Sequence, residues 1–373
     1  MGTPRVPADW EKQRSIWIAW PHEHETWPGR FEAIPGFFRD LAGKIAESTT
    51  VNVVGDPSLR KQLEPLPRNV VWHPIATDDC WIRDYGPTFV VRGNQRHAAI
   101  DWRYNAWGGK YDRWERDDAV AEKVAQISSW KRARSPLCLE GGALEHDGNR
   151  TLLTTSACLV TPNRNPGWSR EQIRAELTAT VGCQEIVWVD GGGLAGDDTD
   201  GHIDQLARFV DPQTIVVASC DDSSDENAAG LAENADILRR WAERRKPTTR
   251  VVSLPIPPKR TIRGQRVPES YCNFLRLGRD RILVPSFGDA ASDDRARSLL
   301  RELASDLSPN VEVTSVDCRD LVWGLGSLHC ASCNEPEATC NEPEATCNEP
   351  EATCNEPEAT CNEPEADHND LDP

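Results

Sequence analysis

The chain alternates short apolar runs with longer stretches of mixed polarity. SIWIAWP (15–21), TVNVVGD (50–56), NVVWHP (69–74), TFVVRG (88–93), EIVWVDG (185–191), TIVVASC (214–220) and RILVPSFGD (281–289) are rich in Val, Ile and aromatic residues. They are bounded by Pro, Gly or Asp, which predicts strands. Apolar positions at helical spacing predict helices near 35–48, 116–129, 169–181, 225–245 and 290–306. The third helix has Ser169 at its start and Gln172 three residues on, so each side chain can serve the other's backbone N–H. HDGN (146–149) and LGRD (277–280) read as hairpin turns.

Five helices among many short strands, some of them hairpin-linked, do not suit a doubly wound parallel sheet, where single strands alternate strictly with helices. GxGxxG does not follow the first strand and GxxxxGK[ST] is absent, so neither a dinucleotide site nor a P-loop is signalled. The pattern predicts an α/β chain built from several small mixed units.

The C-terminus is a different material. CNEPEAT occurs four times from Cys333, and CNEPEAD follows once. The units have no apolar face, one Pro each and only acidic charge, so they bury too little to offset the entropy of ordering. The expectation is a catalytic body over 1–332 and an acidic repeat tail over 333–373, disordered from about residue 334. Most of the net charge of −18 lies there: removing the tail leaves 42 basic against 47 acidic residues, a net of −5. That surface lacks the basic excess that nucleic acid demands. No apolar run approaches a membrane span, and MGTPRVPADWEKQ has no signal-peptide core. A cytoplasmic protein is expected, with most of its 13 cysteines as free thiols.

Four polar clusters interrupt the strand and helix pattern: DDCWIRDYGP (78–87), LEGGALEHDG (139–148), GDDTDGHIDQLARF (196–209) and GLGSLHC (324–330). If HID continues as a strand, alternation places His202 and Asp204 on one face. Together the clusters supply a thiol, an imidazole and several carboxylates. That set suits nucleophilic attack on a cation, with carboxylates holding positive charge and imidazole moving protons.

With these motifs in view, the chain resembles the agmatine deiminase and Porphyromonas-type peptidylarginine deiminase family of the guanidine-modifying pentein superfamily. WEKQRSIWIAWPH (10–22), WIRDYGPTF (81–89), YNAWGGKY (104–111), EGGALEHDG (140–148), TPNRNPGWSREQI (161–173), DDTDGHIDQLARF (197–209), VPSFGD (284–289) and GSLHC (326–330) carry the resemblance, in order, over nearly the whole body. It implies a single-domain, five-bladed pseudosymmetric α/β propeller with the site on its axis. It implies Cys330 as nucleophile, His202 as general acid/base, Asp84 and Asp204 as guanidinium ligands, and Glu140 as the acid that orients His202. Trp81 and Trp107 become candidate substrate contacts. The implied reaction converts agmatine to N-carbamoylputrescine and ammonia through a thiouronium intermediate, a step of putrescine biosynthesis, with no cofactor or metal. The partner is then a small guanidino substrate, not nucleic acid or membrane; a homo-oligomer is compatible with it.

Plainer readings apply elsewhere. Cys80, Cys138, Cys158, Cys183, Cys220, Cys272 and Cys318 read as small hydrophobes. Asp78, Asp79, Asp197 and Asp198 read as loop and capping acids, His329 as structural, Arg83 as a structural ion-pair partner, and Cys333 as repeat filler. Two alternatives remain: deimination of peptidyl-arginine, and a metal-binding or redox role for the repeat cysteines, whose spacing of seven exceeds the usual two to four of structural zinc sites.

Overall fold

Five times the chain runs through the same order: two antiparallel strands, a helix, and a third strand parallel to the second. One unit pairs Thr88–Arg92 with Gln95–Arg103, crosses through the helix Val120–Ile127, and returns as Arg132–Cys138. The next uses Glu145–His146, Thr151–Thr154, the helix Arg170–Val181 and Glu185–Trp188. A third uses Ala207–Asp211, Thr214–Ser219, the helix Ala228–Ala242 and Arg250–Pro255. A fourth uses Leu275–Arg276, Arg281–Ser286, the helix Ala290–Ser305 and Glu312–Asp317. In the fifth, Ser332–Pro336 from the far end of the body lies antiparallel to Gln13–Ala19; the helix Ile34–Ala46 then leads to Thr50–Gly55. This computed structural model describes residues 3–339.

Local chemistry explains the units. The middle strand Thr214–Ser219 is buried along nearly its whole length, because both faces are covered, and its β-branched residues suit that position. In Ile34–Ala46, Ile34, Phe38, Leu41, Ala42 and Ile45 form one buried stripe at helical spacing. The helix Arg170–Val181 has the predicted capping box at Ser169 and Gln172, and ends at Gly182 with φ 72°, the left-handed stop that glycine adopts most easily. Both predicted hairpins are present, with Glu145 opposite Leu153 and Leu275 opposite Leu283. Among the described residues no helix is long and apolar enough to cross a membrane.

Two expectations need correction. HID is not a strand: Ile203–Gln205 is a single 3-10 turn with His202 at its N-cap. The expected body boundary at 332/333 also fails, since the first CNEPEAT copy is part of the fold. Cys333 and Glu335 are buried, and the chain continues to Thr339, whose N–H bonds the Asn94 carbonyl. A repeat that cannot form a core by itself is ordered by a strand edge supplied by the body. The later copies, 340–373, lie outside the described residues.

Candidate functional site

The four polar clusters leave different units and converge. Cys330 ends a tight segment in which Leu325 takes a left-handed conformation (φ 66°) and Gly326 passes beneath Trp81. A Cβ at Gly326 would sit 2.4 Å from the Trp81 ring, so only glycine fits there. The Cys330 carbonyl accepts the Arg83 N–H at 3.2 Å, which ties this segment to the turn Ile82–Tyr85 carrying Asp84. Glu140 precedes the turn Gly141–Ala143. A Cβ at Gly142 would meet His202 Nδ1 at 2.6 Å, Asp84 Oδ1 at 2.7 Å and Asp204 Oδ2 at 3.2 Å. Three sequence-distant motifs therefore meet over one glycine.

Each carboxylate is held by neutral or cationic donors. Asp84 accepts the Gly142 N–H at 3.0 Å and the Trp107 indole N–H at 2.8 Å. Trp107 reaches it from a left-handed backbone (φ 54°), a costly conformation for an aromatic residue, followed by Gly108 and Gly109. Asp204 is fully buried; its Oδ2 lies 2.8 Å from His329 Nδ1 and 3.7 Å from Cys330 Sγ. Its Oδ1 has no hydrogen-bond partner among the described residues. Glu140 takes the Arg164 Nε–H at 2.8 and 2.9 Å on its two oxygens.

His202 lies between the acids. Nδ1 is 3.5 Å from Asp84 Oδ1, and Nε2 is 3.6 Å from Glu140 Oε2. These are charge contacts beyond hydrogen-bond length, and neither ring nitrogen has a hydrogen-bond partner among the described residues. Burial disfavours charge on the imidazole, but Asp84, Glu140 and Asp204 together outweigh it and raise the pKa to about 9. Burial, with Asp204 and Glu140 adding to it against His202, lifts Asp84 to about 6. Burial, then the charges of Asp204 and Asp84, push the Cys330 thiol well above its usual value. Glu140 and Asp204 fall below the usual carboxylate range, because Arg164 and His329 respectively more than offset burial.

A cavity of about 450 Å³ opens over this cluster. Trp81, Asp84, Trp107 and Cys330 border it, while Glu140, His202 and Asp204 lie buried beneath. Its upper wall is acidic, with Glu23, Asp79, Asp112 and Asp198, against Lys110 and Arg113. Lys110 bonds the Asp198 carbonyl and pairs with Asp200, and Arg113 pairs with Glu23 at 2.6 Å. Asp78, Asp79 and Asp198 thus line the cavity as well as capping loops; Asp197 shapes its own turn through the N–H groups of Thr199 and Gly201.

Three residues carried no signal of their own in the sequence. His329, read as structural, contacts Asp204. Arg164 fixes Glu140, and Asn273 Nδ2 lies 3.1 Å from Cys330 Sγ. Burial, with Arg208 and Arg83, keeps His329 below its usual pKa, so its one ring proton belongs on Nδ1, facing Asp204. Arg164 stands among other polar residues in TPNRNPGW and Asn273 in the short stretch YCNF, and neither stretch has a period that singles the residue out. Arg83, expected in an ion pair, donates to the His329 carbonyl and the Asn334 amide oxygen. Cys333, read as filler, packs against Gly86 and Pro87.

The model of the Porphyromonas-type peptidyl-arginine deiminase family matches residues 5–336. A Marinomonas sp. protein provisionally named agmatine deiminase is 33% identical, over 89% of this chain and 94% of its own length. Among solved structures, an agmatine deiminase of Enterococcus faecalis superposes with TM-score 0.82 at 27% identity, covering 91% of this chain and 99% of that one. A Campylobacter jejuni (C. Jejuni) agmatine deiminase with substrate bound gives TM-score 0.80 at 29% identity, covering 89% and 96%.

Proposed function

The chain belongs to the Porphyromonas-type peptidyl-arginine deiminase family, and from that premise we propose that it hydrolyses agmatine to N-carbamoylputrescine and ammonia. The observation that carries the reading is a buried pair of carboxylates beside a thiol. Asp204 keeps one oxygen without a partner among the described residues, and Asp84 is fixed by Trp107 and Gly142. A planar guanidinium needs such acceptors on its N–H edges.

Asp84 and Asp204 hold the guanidinium with its central carbon over Cys330 Sγ. The entering cation offsets the carboxylate charge that, with burial, keeps the thiol protonated, so substrate binding itself favours the thiolate and the thiol proton leaves to solvent. Sulfur adds to the carbon. His202, held as imidazolium, gives its proton to one amino nitrogen; that C–N bond breaks and ammonia leaves. The now neutral imidazole takes a proton from water, whose oxygen adds to the thiouronium carbon. The C–S bond then breaks, returning the thiolate, and the adduct's hydroxyl proton passes to solvent as the ureido product is released. Glu140, locked by Arg164, keeps His202 in place and favours its charged form. Trp81 and Trp107 wall the alkyl chain. In this reading the five repeated units are blades of a pseudosymmetric propeller, and the polar clusters are the loops that meet at its axis.

Ammonia release from agmatine, arginine and a peptide with C-terminal arginine, each with EDTA present, tests the proposal. Agmatine should be the best substrate and EDTA should change nothing. Preferential turnover of the peptide would make the protein a peptidyl-arginine deiminase, and no release from any of the three would overturn the reading.

A further inference from the structure

A cavity for a cationic substrate carries two cations in its own wall, Lys110 and Arg113. Arg113 is largely exposed and pairs with Glu23. Lys110 points the other way in role: its Nζ lies 2.8 Å from Asp200 Oδ1 and also donates to the Asp198 carbonyl. Beside it, Tyr111 donates its hydroxyl to Asp198 Oδ2 at 2.5 Å, and ahead of it Asn105 Nδ2 donates to the Asn163 carbonyl at 2.9 Å. Between these ties the backbone is left-handed at Ala106, Trp107, Gly108 and Gly109, with φ of 53°, 54°, 87° and 81°. Glycine adopts this freely; Ala106 and Trp107, which carry a Cβ, do not. The contacts on both flanks therefore hold a turn that its own residues resist. What the turn delivers is the Trp107 indole N–H, 2.8 Å from Asp84 Oδ2, while the Gly142 N–H serves Oδ1 at 3.0 Å. One donor on each oxygen fixes the plane of the carboxylate, and a guanidinium pairs edge-on with a carboxylate that lies in its own plane.

We infer that Lys110, through its ion pair with Asp200, is a positioning residue that holds this left-handed turn and so aims the Trp107 N–H at Asp84. Asp200 is a firm anchor. Its other oxygen takes Arg164 Nη1 at 2.7 Å, and Arg164 is itself buried and locked on Glu140. Burial opposes charge on Asp200, but the bonds from Lys110 and Arg164 outweigh it, so the carboxylate stays ionised. The sign of the charge separates this role from a direct one. An ammonium that merely lines the wall repels a doubly cationic substrate, and removing it would improve binding. An ammonium that sets Asp84 makes its own removal harmful.

The inference rests on agmatine hydrolysis as proposed above, and its test reads the turn separately from turnover. Lys110 is the residue to change, because Asp200 also serves Arg164. kcat/KM for agmatine should fall about tenfold or more in Lys110→Met, whereas Lys110→Arg, which keeps the pair, should stay within about threefold of wild type. In a Trp107→Phe background the same Lys110→Met change should cost no more than about twofold, because the N–H that Lys110 serves is already gone. Unchanged or improved kcat/KM in Lys110→Met, or a loss just as large in the Trp107→Phe background, overturns the inference. The second measurement needs neither substrate nor a Lys110 variant. The Trp107 indole proton of the wild-type protein, its NMR signal assigned by its absence in Trp107→Phe, should exchange with solvent far more slowly than an exposed indole. Exchange at the rate of an exposed indole overturns the inference even if Lys110→Met does not fold. No agmatine turnover by the wild-type protein would instead overturn the functional reading, and the indole exchange would still decide the positioning.

Discussion

At the scale of single residues, the site is a balance between burial and charge, and the balance predicts a pH profile. Asp84 titrates near 6, raised first by burial; its binding form, the carboxylate, exists above that value and is lost below it. His202 titrates near 9, where neighbouring acids overcome burial; its donating form, the imidazolium, exists below that value and is lost above it. kcat/KM for agmatine should therefore be bell-shaped, with limbs near those two values. Asp84→Asn should abolish the acid limb along with most activity; an unchanged acid limb in that variant would assign it elsewhere. Cys330→Ala should lose on the order of 10⁴-fold in kcat, since among the described residues no other thiol borders the cavity. The main residues of the site were legible because each lies in a dense polar motif. His329 lies in GLGSLHC beside Cys330 yet reads as structural, and Arg164 and Asn273 lie outside the four polar clusters; their roles come from partners more than 20 residues away, which no local pattern shows.

At the scale of elements, the strands that were read correctly are apolar runs, the clearest of them buried along nearly their whole length, such as Thr214–Ser219. Those missed break the pattern for local reasons. Gln95–Arg103 carries Arg96 and Asp101 inward, the latter paired with Arg132 and Arg134. Arg132–Cys138 contains Pro136, tolerable there because the strand is the edge of its sheet. Ser332–Pro336 was hidden by its likeness to the repeats that follow. Its key residue is Glu335, 1% exposed, which accepts Ser15 Oγ–H at 2.7 Å, the indole N–H groups of Trp17 and Trp130 at 3.1 Å, and Arg14 at 3.3 Å. Glu335→Ala strands two indole donors and should cost roughly 3–5 kcal/mol, the range for breaking a buried charged network. A urea melt checks this, and a loss under about 1 kcal/mol would contradict it. Ending the chain after Thr339 keeps the strand and should leave kcat and KM within about twofold, whereas ending it after Ser332 should leave no cooperative transition.

At the scale of the whole molecule, Gln13–Ala19 near the start of the body and Ser332–Pro336 at its end share a sheet, and the groups of the site come from loops spread over the entire body. Such a site forms only when the last unit is completed by Ser332–Pro336, which is why one motif alone could not have revealed it. The cavity above the site has the charge of its substrate's complement. In the proposed reaction a guanidinium meets Asp84 and Asp204 at the base, and the upper wall of the cavity presents Glu23, Asp79, Asp112 and Asp198. Burial holds Asp79 near 6 despite bonds from Thr26 and the Cys80 N–H, so at neutral pH it is mostly a carboxylate without a cationic partner in the cavity wall. An amine at the distal end of the substrate meets that wall favourably, whereas the α-carboxylate of free arginine meets like charge. kcat/KM should therefore favour agmatine over arginine by 10²-fold or more, about 3 kcal/mol. It should also favour agmatine over n-butylguanidine, which keeps the guanidinium and loses the amine, by about tenfold or more, mainly in KM. Raising the salt should narrow the agmatine advantage over n-butylguanidine, because only the exposed upper wall is screened. Equal kcat/KM for the two guanidines at low salt would show that the acidic wall does not recognise the distal amine.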